Sequence, residues 1–238
     1  MTYSLTESTL EGSAPVAHLR LDDGKANALN AALVDALEGA IGRAGIDGAG
    51  ALVIWGRPGC FSGGIDLKVL RREDIGSRVA ELSRIASALL ALWTAPIPTV
   101  AAVTGHAIAG GAVLAMACDR RIAIADPAFR VGVNETALGM VLPTWALVIC
   151  RAAIRPDRVT DTMLLGSIYP PAEAATTGMI ERAVPAADFD AAVEAAGLAA
   201  ASLPTAAYAG TKRQLRGAEA ERAATEIDRE MSSFRGPA

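Results

Sequence analysis

The sequence predicts an α/β fold with parallel strand pairings, and three observations carry that prediction. Short uninterrupted apolar runs, at 51–55 (ALVIW) and 99–104 (TVAAVT), alternate with stretches of helical periodicity. Two glycine-rich turns, 60–68 (CFSGGIDLK) and 105–119 (GHAIAGGAVLAMACD), each lie where such a run gives way to a helix. Aromatic residues make up only 4% of the 238-residue chain and alanine dominates its apolar content, which favours closely packed helices over an aromatic-rich sandwich.

Taken in order, segments 3–10 and 14–21 partly alternate apolar and polar residues around Glu11-Gly12-Ser13, the pattern of a hairpin. Asn30 then stands as N-cap to a helix carrying Leu33, Val34, Leu37 and Ile41 at helical spacing, which ends in the glycine-bearing segment 42–50. Residues 51–55 read as a buried strand and 56–64 as its exit loop. A helix over 76–93 leads to the double-proline break APIP and the next buried strand, 99–104. A helix over 110–118, a strand at 121–125 and an extended piece at 129–133 continue the alternation. From Trp145 onward the chain reads as mostly helical, with one strand at 180–184 and two helices within 188–234 that break near Pro204. The expected organisation is a core of residues 1–187 followed by a helical region of residues 188–238.

Composition narrows the function. With 22 basic residues against 26 acidic ones and no basic run, the chain has no electrostatic footprint for nucleic acid, although local Lys and Arg can serve a small anion. Cys60, Cys118 and Cys150 are odd in number and lack CxxC or His-rich spacing, so neither a disulfide framework nor a metal site is expected. The polar N-terminal stretch lacks the order of a signal peptide, and the expected location is the cytoplasm. Residues 95–117 carry no formal charge and are long enough to span a bilayer, but Pro96, Pro98, Gly105, Gly110 and Gly111 divide them into strand, turn and helix. No membrane association is expected.

A glycine turn opening a helix presents unpaired backbone N–H groups to a ligand oxygen. Two such turns make an oxyanion hole, and the carboxylate Glu135 follows them in the chain. A hole with one nearby base points to enolate chemistry, in which a proton beside a carbonyl moves while the negative charge rests on oxygen. GHAIAGG alone resembles a loose dinucleotide fingerprint, but it lacks the G-x-G-x-x-G order.

Five ordered motifs are more specific than either turn: KANALN (25–30), ALVIWG (51–56), FSGGIDLK (61–68), the AGG turn with CDRRIA (118–123), and NETALGMVLP (134–143). Together they resemble the crotonase superfamily, also called the enoyl-CoA hydratase/isomerase family, over most of the chain. The resemblance implies a spiral of ββα units with a helical C-terminal region that mediates trimer formation, often as a dimer of trimers. It implies an acyl-CoA thioester as partner, with coenzyme A as part of the substrate and no separate cofactor. Its oxyanion donors fall on the backbone N–H groups of Ile65 and Gly110. Its CoA contacts fall on Lys25, Ala26, Ala28, Asp66, Leu67 and Lys68, and Gly64, Gly111, Asn134, Leu142 and Pro143 complete the implied substrate-binding set.

Hydratases of this family use two glutamates that together activate water. The first position here is Val113 and the second is Glu135. A valine neither accepts a proton nor orients a water, whereas one carboxylate suffices for an allylic shift, removing a proton from C2 of a 3-enoyl thioester and returning it at C4. NETALG is also similar to the matching segment of the Δ3,Δ2-enoyl-CoA isomerases. Dienoyl-CoA isomerases and halobenzoyl-CoA dehalogenases carry an aspartate shortly after this glutamate, where this chain has the apolar GMVLP. The expected activity is therefore isomerisation of 3-enoyl-CoA to 2-enoyl-CoA. The alternatives are hydration, with Asn134 positioning the water, and acyl-CoA binding without catalysis.

His106 could be paired with Ser62 as a nucleophilic dyad, but no nucleophile elbow is present, and His106 and His18 read as structural. Trp55 and Trp93 read as packing residues, and Trp145 as a candidate wall of the acyl pocket. After Phe234 the chain ends in RGPA, so the family's final helix is expected to be shortened. Contact of Lys212 with the nucleotide is left open.

Overall fold

The computed structural model describes residues 2–8 and 15–234. An antiparallel pair, β1 (Thr2–Ser8) and β2 (Val16–Asp22), comes first, and the expected turn at 11–13 lies outside the described residues. Helix α1 (Ala31–Ile46) follows, with the Asn30 side chain accepting from the Leu33 N–H at 3.2 Å as its N-cap, a contribution of about 1 kcal/mol.

Three strand–strand–helix units come next. In the first, β3 (Ala51–Trp55) and β4 (Gly59–Ser62) lead to α2 (Leu67–Leu70) and α3 (Ile75–Trp93). In the second, β5 (Thr99–Val103) and β6 (Gly105–Ile108) lead to α4 (Gly110–Ala117). In the third, β7 (Arg120–Ile124) and β8 (Val131–Gly132) lead to a 3-10 turn, Thr136–Leu138, and α5 (Thr144–Ala153). The chain closes with α6 (Pro171–Thr177), β9 (Arg182–Val184), α7 (Ala186–Ala201) and α8 (Thr205–Ser233).

The first strand of each unit joins a six-stranded sheet in the order β1-β2-β3-β5-β7-β9, parallel from β2 onward. The second strand joins a parallel three-stranded sheet, β4-β6-β8. This is the ββα order that the family resemblance implies. The small sheet is the main departure from the residue-level reading, which gave 56–64 as a loop and 105–109 as a turn. Its strands are two to four residues long and glycine-bearing, too short to show a period of two.

The large sheet is covered on both faces, which is why its strands are continuously apolar. Ala51, Val53 and Trp55 of β3 face one side, with Val100 and Ala102 of β5, and pack under Phe189 and Val193 of α7. Leu52 and Ile54, with Ala101 and Val103, face the other, where α1, α3, α4, α5 and α8 gather. The 187/188 division falls inside α7. Helix α8 runs for 29 residues and packs back along α3 and α5 of its own chain, and the segment after Phe234, where a shortened end is expected, lies outside the described residues.

Candidate active site

The two glycine turns meet. Segments 26–29 and 63–66 are zipped together, with Gly63 N–H donating to Ala26 O (2.8 Å), Leu29 N–H to Gly64 O (2.8 Å) and Asp66 N–H to Leu29 O (3.0 Å). In this parallel bridge the bonds fall on the residues flanking Ile65, so the N–H of Ile65 itself points away from the pairing. Gly110 is the first residue of α4, where a backbone N–H has no partner within the helix and the helix dipole is positive. A Cβ built on Gly110 would lie 3.5 Å from Ile65 N, which makes the two donors neighbours.

Local strain aims the second donor. Ala109 adopts φ 53° and ψ −130°, a left-handed conformation that costs a residue with a Cβ about 1–3 kcal/mol, and its N–H is tied to Gly132 O at 2.8 Å. Gly64 and Gly111 flank the two donors in the chain without lining the cavity that Ile65 and Gly110 share. Gly64 turns the chain at φ +90°, and a Cβ on Gly111 would lie 2.1 Å from Ser62 O, so α4 can approach β4 only with glycine there.

A residue passed over in the sequence holds this corner together. Asn27 is fully buried at φ 47°, a conformation that Asn tolerates better than most residues. Its side-chain amide donates to Leu21 O (2.9 Å), Phe61 O (3.1 Å) and Cys60 O (3.3 Å), and its Oδ1 accepts from Asp23 N–H at 3.0 Å. Ser62 Oγ donates to Asn27 O at 2.7 Å. Ser62 is thereby a scaffold residue, and His106 accepts from Arg130 N–H at 3.1 Å through Nδ1, in keeping with its structural reading.

Glu135 sits immediately before the 3-10 turn, its carbonyl accepting from Leu138 N–H (3.0 Å) and Met140 N–H (2.9 Å). Thr136 Oγ1 donates to Met163 O at 3.0 Å, docking the turn on a π-helical segment, Thr160–Leu164. Glu135 is only 7% exposed, and its Oε2 has no hydrogen-bond partner among the described residues. Burial without a partner charge pushes its pKa up to about 7. Asn134 Oδ1 and Trp145 Nε1 are likewise buried and unpartnered among the described residues.

Glu135, Asn134 and Trp145 share one cavity of about 130 Å³ with Ile65 and Gly110. Its other walls are almost wholly apolar: Leu70, Ile108, Leu138, Met140, Leu142, Pro143, Ala146, Met231 and Phe234 among them. Among the described residues Glu135 is the single titratable side chain on those walls. Val113 does not line the cavity; it is 1% exposed and packed in the core. Met231 and Phe234 reach the cavity from α8, almost a hundred residues downstream of Glu135, and nothing in the local sequence marks them.

Gly63, Ile65 and Leu67 also line an outer cleft, together with Asp23, Lys25, Ala26, Ala28, Asp66 and Lys68. The six residues expected to contact CoA therefore lie in one cleft that shares a wall with the inner cavity. Asp66 is engaged as N-cap of α2, accepting from Lys68 N–H at 2.9 Å. Lys212 is elsewhere, buried against Asp119 at 2.8 Å. Among the described residues no group of three or more His, Cys, Asp and Glu could hold a metal ion, and no helix is long and apolar enough to cross a membrane.

Comparison with known proteins agrees on one family, whose members here carry both isomerase and hydratase names. A family profile described as enoyl-CoA hydratase/isomerase matches residues 11–236. The human mitochondrial enoyl-CoA delta isomerase 1 is 29% identical over 185 residues, 78% of this chain and 61% of that protein. The chain spans 44–61% of the length of the first curated relatives it matches. Among solved structures, an enoyl-CoA hydratase from Mycobacterium ulcerans Agy99 superposes with a TM-score of 0.85 at 32% identity, covering 96% of this chain and 98% of its own. The human mitochondrial delta3-delta2-enoyl-CoA isomerase superposes with a TM-score of 0.85 at 25% identity, covering 96% and 89%.

Proposed function

This chain belongs to the enoyl-CoA hydratase/isomerase family, and from that premise we propose that it is a Δ3,Δ2-enoyl-CoA isomerase. The observation that carries the reading is the solitary carboxylate: among the described residues Glu135 is the one titratable group on the wall of an apolar cavity that also holds Ile65 and Gly110. The thioester oxygen accepts from the N–H groups of Ile65 and Gly110. Glu135, ionised above about pH 7, takes a proton from C2 of the 3-enoyl chain. The electron pair left on C2 delocalises through the carbonyl, and the resulting enolate oxygen is held by the two N–H donors and the start of α4. The now neutral Glu135 returns the proton at C4 as the double bond moves to C2–C3. An apolar wall keeps water from quenching the dienolate.

The CoA portion lies in the outer cleft, where Lys25 and Lys68 supply positive charge to its phosphates and Ala26, Ala28, Asp66 and Leu67 line its path. Gly64 and Gly111 serve that substrate through backbone shape alone. The human mitochondrial isomerase among the relatives favours the same reading. Assembly as a homotrimer or dimer of trimers is part of the proposal, and sedimentation velocity of the purified protein tests it.

Hydration of 2-enoyl-CoA is the second reading, favoured by the buried, unpartnered Asn134 Oδ1 beside Glu135, an acceptor available to a water. A paired assay separates the two. Purified protein is given a 3-enoyl-CoA and a 2-enoyl-CoA of equal chain length, with Glu135→Gln as control and products resolved by chromatography. Isomerisation predicts 2-enoyl-CoA from the first substrate and no 3-hydroxyacyl-CoA from either. Appearance of 3-hydroxyacyl-CoA would assign hydration. Binding without any product would leave a non-catalytic acyl-CoA-binding protein.

A further inference from the structure

We propose that Phe234 is the chain-length stop of this site, a specificity-determining residue that separates the acyl cavity from a second cavity into which longer chains would otherwise pass. The inference rests on the acyl-CoA reading above. The inner cavity holding Glu135 and a second, larger one of about 350 Å³ share four wall residues: Met140, Leu142, Pro143 and Phe234. The first three belong to the continuous segment that follows the Glu135 turn. Phe234 comes instead from the C-cap of α8, and among the described residues it is the one aromatic side chain common to both spaces.

Its placement is anchored. Glu230, on the second cavity's wall, accepts from Thr144 N–H at 2.8 Å and from Thr144 Oγ1 at 2.6 Å, so the last turn of α8 caps the start of α5. Met231, one residue later and 1% exposed, faces the inner cavity. Phe234 follows at the i+3 position, its N–H tied to Met231 O at 3.3 Å and its ring packed against the main apolar core. Both oxygens of Glu230 accept from Thr144, and Val141, Leu142 and Pro143 give the second cavity an apolar wall for an acyl tail.

The test measures binding of saturated straight-chain acyl-CoAs, lengthened two carbons at a time, by isothermal titration calorimetry. Saturated thioesters need no proton transfer, so the result is independent of which reaction Glu135 performs. Affinity is expected to rise about fourfold per methylene until the chain meets Phe234, and then to level or fall. Phe234→Ala is expected to move that breakpoint to longer chains, with a gain of about tenfold or more at the first lengths beyond the wild-type limit, while short chains bind as before. Phe234→Leu keeps an apolar contact with the core, gives an intermediate shift and carries the test if the alanine variant is unstable. An identical breakpoint in wild type and variants, or a wild type without one, would overturn the proposal. Failure of 3-enoyl turnover alongside a breakpoint that moves would sink the isomerase reading and leave Phe234 in its role. No acyl-CoA binding at all would overturn both.

Discussion

Two carboxylates largely withdrawn from water, Glu135 buried and Asp119 partly so, lie sixteen residues apart in this chain and are treated in opposite ways. Asp119 accepts from Thr99 N–H (2.8 Å), Thr99 Oγ1 (2.9 Å), Lys212 Nζ (2.8 Å) and Arg216 (2.8 Å). Burial by itself would raise its pKa, but Lys212 and the hydrogen bonds around it, with Arg216, hold the carboxyl below the usual range. Glu135 is similarly withdrawn from water but receives no cation, and burial drives it up to about 7. Depth is common to both, so the company each keeps decides its chemistry. The carboxylate that anchors α8 is saturated with donors, whereas the one proposed to pick up and release a proton is left with an open acceptor.

The largest expected effect comes from removing the reactive member of the pair. Glu135→Gln should lower turnover of the true substrate by about 10²–10⁴-fold while acyl-CoA still binds, measured by steady-state kinetics beside calorimetry. A loss smaller than about tenfold would end its role as the base. Asp119→Asn should instead destabilise the fold by about 3–5 kcal/mol in urea unfolding, because Lys212 and Arg216 keep their burial and lose their counter-charge. Turnover per folded molecule should stay close to wild type; if it fell with Glu135-like severity, the contrast between the two sites would dissolve.

The pH dependence of stability sharpens the contrast because the signs differ. Glu135 binds its proton up to about 7 when folded but only to about 4.5 when unfolded, so the folded state carries the extra proton between those values. Stability therefore falls as pH rises through that window, by about 3 kcal/mol in all. Glu135→Gln escapes this loss and should be more stable than wild type by about 3 kcal/mol near pH ~8, with the gap shrinking below about 1 kcal/mol near pH ~5. Asp119 behaves in reverse: its contribution is present above the ordinary carboxylate range and is lost on acidification, so the deficit of Asp119→Asn should narrow in acid. Thermal melts across pH read both slopes, and parallel slopes would contradict the assignment.

Smaller effects follow at the site itself. In the free enzyme, kcat/KM should climb about tenfold per pH unit and level off above about 7, as Glu135 loses its proton. A profile that is flat from about pH 5 would place the working base elsewhere. Thr136→Val removes the hydroxyl that docks the Glu135 turn on Met163 O and should reduce kcat severalfold, with about 1 kcal/mol of lost stability. Thr136→Ser, which keeps the hydroxyl, should restore most of the rate.

Much of this was legible because the informative signals are local. Asn30 announces a helix start, ALVIW and TVAAV announce strands buried on both faces, and APIP and Pro204 mark breaks that the structure retains. Asn134, Glu135, Leu142 and Pro143 fall on the inner cavity, with Ile65 and Gly110, because one short motif and two turns contribute them. The small β4-β6-β8 sheet escaped because strands of two to four residues carry no period. Asn27 escaped because its importance lies in the three carbonyls it gathers, two of which, Cys60 O and Phe61 O, are more than thirty residues away in sequence. Met231 and Phe234 escaped because only the return of α8 across α3 and α5 brings them to Glu135.

The proposed oxyanion hole would be assembled from main-chain atoms, and that alters how the gene could lose it. No single-residue change other than proline deletes an N–H from position 65 or 110. What such changes can do is add matter: a lone methyl at Gly111 would press to 2.1 Å from Ser62 O and push α4, with its donor, off β4. Short of proline, loss of the proposed hole would proceed by accretion, through a carbon where the fold has none.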